Sequence, residues 1–329
     1  MSGFNNIEAI GGELARAQQE SENVPSNCGM FNIKSANQTI REAALRPNPK
    51  PLWLSLWYEG EVSCLFADSG VGKSIYAVQI STEIAETQRV LYFDFELSDK
   101  QFQLRYCDDN GQLYEFPDNL FRVEINPDLI EISNFEDAII ENIENAAIST
   151  KAKVLIIDNL TWLCSNSEKG DMAGSLMLRL MILKKKYNWS LLILAHTPKR
   201  SLTNPITQND LAGSKKLYNF FDSVNTIGMS AKDSCLRYVK QLKVRYGDFT
   251  FDGNNVIVYQ VEKVGSFLQF VQLGFSTESE HLREPSENEV SQVVENVKEL
   301  SKQGKSIREI ASQLGISKSK VGRIIKEQH

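Results

Sequence analysis

Apolar residues along this chain fall into two alternating patterns. Short, almost continuous apolar runs occupy residues 62–66 (VSCLF), 89–95 (RVLYFDF), 119–125, 153–158 (KVLIID) and 190–195 (SLLILA). Between them lie stretches with helical spacing, such as Ile139, Ile140, Ile143 and Ala147 within residues 135–148, and residues 176–187. Strand-length runs without polar alternation are buried on both faces, so the rhythm predicts an α/β fold with a mainly parallel sheet between two helical layers. After residue 222 the pattern changes. Runs at 224–229, 236–244, 256–261 and 267–273 follow one another with turn residues Gly247-Asp248 and Asp252-Gly253-Asn254 between them, which predicts an antiparallel extension.

The ends differ from this body. Residues 1–50 are polar, with a short helix expected around residues 7–19 and Pro25, Pro47, Pro49 and Pro51 breaking the rest. They read as an arm or linker. Residues 51–275 form the main domain. Residues 276–289 carry Glu278, Glu280, Glu284, Glu287 and Glu289 against Arg283 alone, and read as an acidic linker. Residues 290–329 form a separate tail, and from Lys298 onward the charge reverses, with Lys298, Lys302, Lys305, Arg308, Lys318, Lys320, Arg323 and Lys326 against Glu299, Glu309 and Glu327.

Composition adds exclusions. The 329 residues are 42% hydrophobic and 24% charged, as in a globular protein. Five dispersed cysteines without a C-x-x-C pair argue for reduced thiols rather than a disulfide framework or a zinc site. No apolar run approaches the ~18 residues of a membrane span and no signal pattern opens the chain, so a cytoplasmic location without a membrane partner is expected. The net charge of −6 argues against a nucleic-acid partner for the whole chain, but it averages over a basic tail.

The candidate chemistry starts at residues 67–74, ADSGVGKS, between the first strand and a helix. The spacing is that of the phosphate-binding loop G-x-x-x-x-G-K-[ST], with Ala67 in place of the first glycine. The loop residues Ala67, Asp68, Ser69, Gly70, Val71, Gly72, Lys73 and Ser74 are the candidate ATP contacts. Gly70 and Gly72 let backbone N–H groups turn toward phosphate oxygens, Lys73 brings a charge to the β- and γ-phosphates, and Ser74 offers its hydroxyl to Mg²⁺. Asp158, ending KVLIID, suits a carboxylate that reaches the same Mg²⁺ through water. Glu96, in FDFELSDKQFQLR, lies at the end of a neighbouring strand and can orient the attacking water. Strand alternation sends Asp94 to the same side, so alternation alone leaves both carboxylates as candidates.

The succession EGEVSCLFADSGVGKS, FDFELSDKQFQLR, KVLIIDNL, LLILAHTPKR and VKQLKVRYG resembles the RecA-like core of hexameric helicases, in particular the DnaB and plasmid RepA replicative helicases and their mobile-element relatives. The resemblance covers roughly residues 50 to 275. It implies an ATPase of DNA replication type, working with ATP and Mg²⁺ as a homo-oligomeric ring, a hexamer, around single-stranded DNA. It assigns the catalytic glutamate to Glu96 and a γ-phosphate sensor to His196, at the end of the strand SLLILA. The K-x-R pair Lys243 and Arg245 would reach a neighbouring subunit's γ-phosphate; the plainer alternative is a basic edge that discourages strand pairing. Loops 164–174 and 197–213 would line a central channel, with Lys199 and Arg200 as candidate contacts to the DNA backbone.

The tail has a signature of its own. In SIREIASQLGISKSKVGRIIK, Ser306 and Glu309 form a capping box, Ala311 is small, Gly315 stands at a turn and Ser317 can cap a second helix. The stretch resembles helix-turn-helix domains of the resolvase and transposase kind. The resemblance implies a small all-α domain that binds duplex DNA, with Lys318, Ser319, Lys320, Arg323 and Lys326 on the second helix as candidate contacts. Three functions stand open on this reading: a helicase, a regulatory or loader ATPase without strand separation, and a DNA-binding module with weak hydrolysis.

Overall fold

The computed structural model describes residues 27–126, 128, 135–159, 171–197, 202–211, 215–314 and 316–326. The expected helix at 7–19, the channel candidates Lys199 and Arg200, and Gly315 lie outside them. The chain divides into two units, residues 1–49 and 50–329.

In the first unit, β1 (Asn27–Cys28) pairs with β2 (Phe31–Asn32), and α1 spans Ala36–Ala44. The prolines were expected to preclude regular structure here. Residues 35–46 contain none, however, and Ser35 caps the helix by accepting from Gln38 N at 3.1 Å.

The second unit opens with the hairpin β3 (Pro51–Trp53) and β4 (Trp57–Tyr58), which buries Trp53, Leu56 and Trp57. The strands of the main sheet are β5 (Val62–Ala67), β6 (Val90–Asp94), β7 (Leu120–Val123), β8 (Val154–Asp158), β9 (Ser190–His196), β10 (Ser223–Met229), β11 (Leu236–Lys243), β12 (Val256–Val264) and β13 (Phe267–Ser276). Their order is β13-β12-β11-β10-β5-β9-β8-β6-β7. From β10 to β7 every pairing is parallel, and from β10 to β13 every pairing is antiparallel, as the change of rhythm after residue 222 predicts. The α/β class is as expected.

Side-chain alternation splits the core in two. Cys64, Phe66, Leu155, Ile157, Leu191 and Ile193 face one layer, which α4 (Phe135–Thr150), α5 (Asp171–Tyr187) and α6 (Lys215–Phe220) complete with Ile140, Ile143, Leu176, Leu180 and Leu217. Leu65, Ala67, Val154, Ile156, Leu192 and Leu194 face the other, completed by α2 (Lys73–Ala85), Phe102 of α3 (Asp99–Arg105), the tryptophan hairpin and Phe270 of β13. Burial on both faces explains the unbroken apolar runs. It also places the carboxyl ends of β5, β9, β8 and β6 side by side along one edge, where ligands of such sheets bind.

The stretch 276–289 is more than a spacer. Residues Glu278–His281 form a 3-10 turn with Glu278 and His281 buried. The Glu278 carboxylate pairs with buried Lys240 and accepts from Ile206 N at 2.9 Å and from the Tyr238 hydroxyl at 3.2 Å. Beyond it come α7 (Glu287–Lys302), α8 (Ile307–Leu314) and α9 (Lys318–Lys326), with a core of their own built from Val297, Leu300, Ile310, Ala311, Val321 and Ile324. The Ser306–Glu309 box is formed in both directions, and Lys320 N donates to Ser317 Oγ at 3.2 Å.

Candidate functional site

The loop between β5 and α2 has positive φ at Gly70 (75°) and Gly72 (108°). The positive φ at Gly72 calls for glycine, and a Cβ there would crowd the Phe270 ring at 3.1 Å. Ala67 is not among the positive-φ residues and its side chain is buried, which accounts for alanine at a position where glycine is usual. Lys73 is 6% exposed and folds back on its loop. Its Nζ donates to Ala67 O at 3.0 Å and Asp68 O at 3.2 Å, and lies 3.1 Å from His196 Nδ1. Burial lowers the Lys73 pKa, opposed by the charges of Asp158, Glu96 and Asp68.

Asp158 ends β8 with 2% exposure. It accepts from the Tyr92 hydroxyl at 2.6 Å and is hydrogen-bonded to the Ser74 side chain. Burial pushes its pKa up to about 6, against the lowering effect of the Ser74 and Tyr92 bonds, with the charges of Glu96 and Asp94 raising it further. Among the described residues no group of three or more His, Cys, Asp or Glu could hold a metal by itself. A hydroxyl beside a buried carboxylate is instead the oxygen-donor set that suits Mg²⁺, which is bound through one or two protein groups plus substrate phosphates.

The folded-state pKa of Asp158 lies above its ordinary 3.8, so the native state holds the proton more tightly than the unfolded chain does. Stability therefore falls as pH rises from about 4 to about 6, and the cost, on the order of 3 kcal/mol, is fully present above that window. Asp158→Asn should raise the melting temperature of the nucleotide-free protein at pH 7.5, and the gain should vanish as pH falls through that window. Calorimetry across pH checks this; equal melting temperatures at pH 7.5 would refute it.

Geometry separates Asp94 from Glu96. The strand β6 stops at Asp94, so alternation does not extend to Glu96. Asp94 is buried, pairs with Arg122 Nε at 2.9 Å, and accepts from Glu96 N at 3.2 Å and Leu97 N at 3.0 Å. It thus holds the turn that carries Glu96. The Glu96 side chain is 43% exposed and lies at the mouth, with Oε1 3.4 Å from His196 Nε2. Lys73, Ser74, Glu96, Asp158 and His196 therefore meet at one edge.

The pair Lys243 and Arg245 does not join them. Lys243 pairs with Val224, which stands beside Cys64 near the start of β5, so it sits roughly 10 Å below the phosphate loop at about 3.3 Å per residue. Lys243 Nζ donates to Tyr218 O at 3.0 Å, while Arg245 donates to Asp222 Oδ1 at 3.1 Å and Asn219 O at 3.0 Å. Both turn toward one segment, but neither reaches its own loop. On α9, Ser319, Arg323 and Lys326 share an exposed face with Gly322, whereas Lys320 turns toward a cavity lined by Thr203, Asn204, Pro285 and Val290.

Sequence reading missed three site residues. Asn159 is buried, lies 3.0 Å from His196 Nε2 and donates to Glu96 Oε1. Thr197 donates its hydroxyl to Asp68, tying the loop after β9 to the phosphate loop. Buried Arg237 donates to Val71 O at 2.8 Å, and to Ser234 O and Leu236 O. Burial lowers its pKa. Only Arg237 had a signal, a charge inside a strand that is otherwise buried.

The AAA domain family matches residues 31–201. A KaiC-like protein of the hyperthermophilic archaeon Pyrococcus horikoshii OT3 is similar in structure at a TM-score of 0.47 and 14% identity, over 65% of this chain and 90% of that one. No curated protein matches the sequence.

Proposed function

From the chain's membership in the AAA domain family, a P-loop ATPase family, we propose that it hydrolyses ATP to act on DNA as a RepA/DnaB-like helicase, with active sites shared between the subunits of a ring. The observation that carries this is the division of the constellation. Lys73, Ser74, Glu96, Asp158 and His196 gather at one end of the sheet while Lys243 and Arg245 sit away from their own phosphate loop, which supports a role for the pair at the phosphates of another subunit.

Hydrolysis proceeds by in-line attack of water on the γ-phosphate. Lys73 exchanges its contacts to the Ala67 and Asp68 carbonyls for phosphate oxygens. Glu96 orients the attacking water and takes its proton. Ser74 and Asp158 would hold Mg²⁺, which would supply positive charge beside the phosphates. His196, between Lys73 and Glu96, senses the γ-phosphate, and Arg245 of a neighbour completes the site.

The tail supplies the DNA anchor, a helix-turn-helix with α9 in the major groove. Its excess positive charge supports this over a protein-docking role. Replacing Lys318, Lys320, Arg323 and Lys326 with alanine should weaken duplex binding and lower the slope of log K against log salt by about one for each phosphate no longer neutralised. An unchanged slope in a fluorescence titration would remove the tail from the account.

A second reading, a regulatory or loader ATPase, is favoured by one feature. Glu278 binds Ile206 N and Arg283 N donates to Leu202 O, so the segment leading to the tail is fastened to the loop that follows His196. A forked-duplex unwinding assay with wild type, and Glu96→Gln as control, separates the two. ATP-dependent strand separation supports the helicase, and DNA-stimulated hydrolysis without unwinding supports the regulatory ATPase.

A further inference from the structure

Asn159 follows Asp158 directly and is 2% exposed. Its amide is held between two groups of the site, donating to Glu96 Oε1 and lying 3.0 Å from His196 Nε2. The carboxylate sets the amide's orientation, since an ionised carboxylate only accepts and must be met by N–H rather than C=O. His196 stands beside both, with Nδ1 3.1 Å from Lys73 Nζ and Nε2 3.4 Å from Glu96 Oε1. Oε1 of Glu96 thus accepts from a donor rooted in a strand end that is fully buried.

Resting on the assignment of Glu96 as the group that orients water, we propose that Asn159 is a positioning residue. It holds Oε1 of Glu96 so that Oε2 is presented to the attacking water. Glu96 needs such a restraint because its own turn lies beyond β6 and its side chain is 43% exposed, which leaves the carboxylate free to rotate. A carboxylate that samples several rotamers spends only part of its time in line with the water, and small displacements of a catalytic group are costly. The restraint also reaches the phosphate end of the site. Lys73 uses its three donors on Ala67 O, Asp68 O and His196, so phosphate binding must free at least one of them. Release of His196 leaves Asn159 as the fixed contact of Glu96 while the imidazole responds to the nucleotide.

The test is the steady-state kinetics of Asn159→Ala, Asn159→Ser, Glu96→Gln and the double variant Asn159→Ala/Glu96→Gln in the full chain, with binding of a fluorescent ATP analogue and melting temperature measured for each. Asn159→Ala is expected to lower kcat by about 10- to 100-fold with KM for ATP changed less than about threefold. Asn159→Ser, which keeps a short donor, should recover part of the loss. The double variant should turn over no more slowly than Glu96→Gln alone, because Asn159 acts through that carboxylate. A wild-type kcat in Asn159→Ala, or fully additive losses in the double variant, overturns the inference and leaves the Glu96 assignment standing. Wild-type turnover in Glu96→Gln overturns the assignment and the inference together. If Asn159→Ala fails to bind the analogue or to fold, the serine variant and its double with Glu96→Gln decide by the same criteria.

Discussion

Glu96→Gln should bind ATP within a few-fold of wild type and hydrolyse it about 10²- to 10⁴-fold more slowly, the range expected for loss of a general base. Glutamine keeps the length of the side chain and an Oε1 that can accept from Asn159, so the site keeps its shape. It cannot take a proton from water. Binding should survive because the phosphate contacts belong to residues 67–74, whose glycine turns and Lys73 contacts to Ala67 O and Asp68 O do not involve Glu96. Equilibrium binding of an ATP analogue together with phosphate release measures both sides of this claim. If Glu96→Gln turns over at the wild-type rate, the role passes to another group. Asp94 is a poor substitute, since Arg122 and two backbone N–H groups already occupy it.

Arg245→Ala should cost about 10³- to 10⁵-fold in turnover if the guanidinium works across a subunit boundary. Its partners among the described residues are Asp222, in a half-exposed ion pair, and one carbonyl, so removing them costs on the order of 1 kcal/mol and the variant should fold. Complementation distinguishes a trans residue from a local one. Lys73→Ala and Arg245→Ala subunits, each inactive alone, should regain activity on mixing, since about one interface in four in a random ring pairs an intact loop with an intact arginine. Mixtures that remain as silent as their parents would mean that Arg245 acts within its own subunit, and an Arg245→Ala variant as active as wild type would mean that the pair is a basic edge.

The architecture was legible because burial on both sides writes itself into the sequence. VLYFD, VLIID and LLILA admit few other placements, and the shift to consecutive strands after residue 222 marked where parallel pairing gives way to antiparallel. The phosphate loop was legible because its glycines answer a backbone need, positive φ at Gly70 and Gly72. What escaped were contacts between distant strands. Nothing in the letters IDNL separates Asn159 from an ordinary loop asparagine, and its meaning arises only because β8 lies between β6 and β9. The choice between Asp94 and Glu96 likewise needed the position of Arg122 on β7, which no local pattern carries. The acidic run at 276–289 misled in a further way, because Glu278 is neutralised by Lys240, a residue 38 positions earlier.

The most direct measurement is the rate of ATP hydrolysis by the wild-type chain, with Mg²⁺ and with EDTA, alone and with single-stranded or forked DNA. A DNA-acting P-loop ATPase should show turnover that requires Mg²⁺, rises when DNA is added and is lost in Glu96→Gln. Absence of turnover with both forms of DNA present would contradict the account.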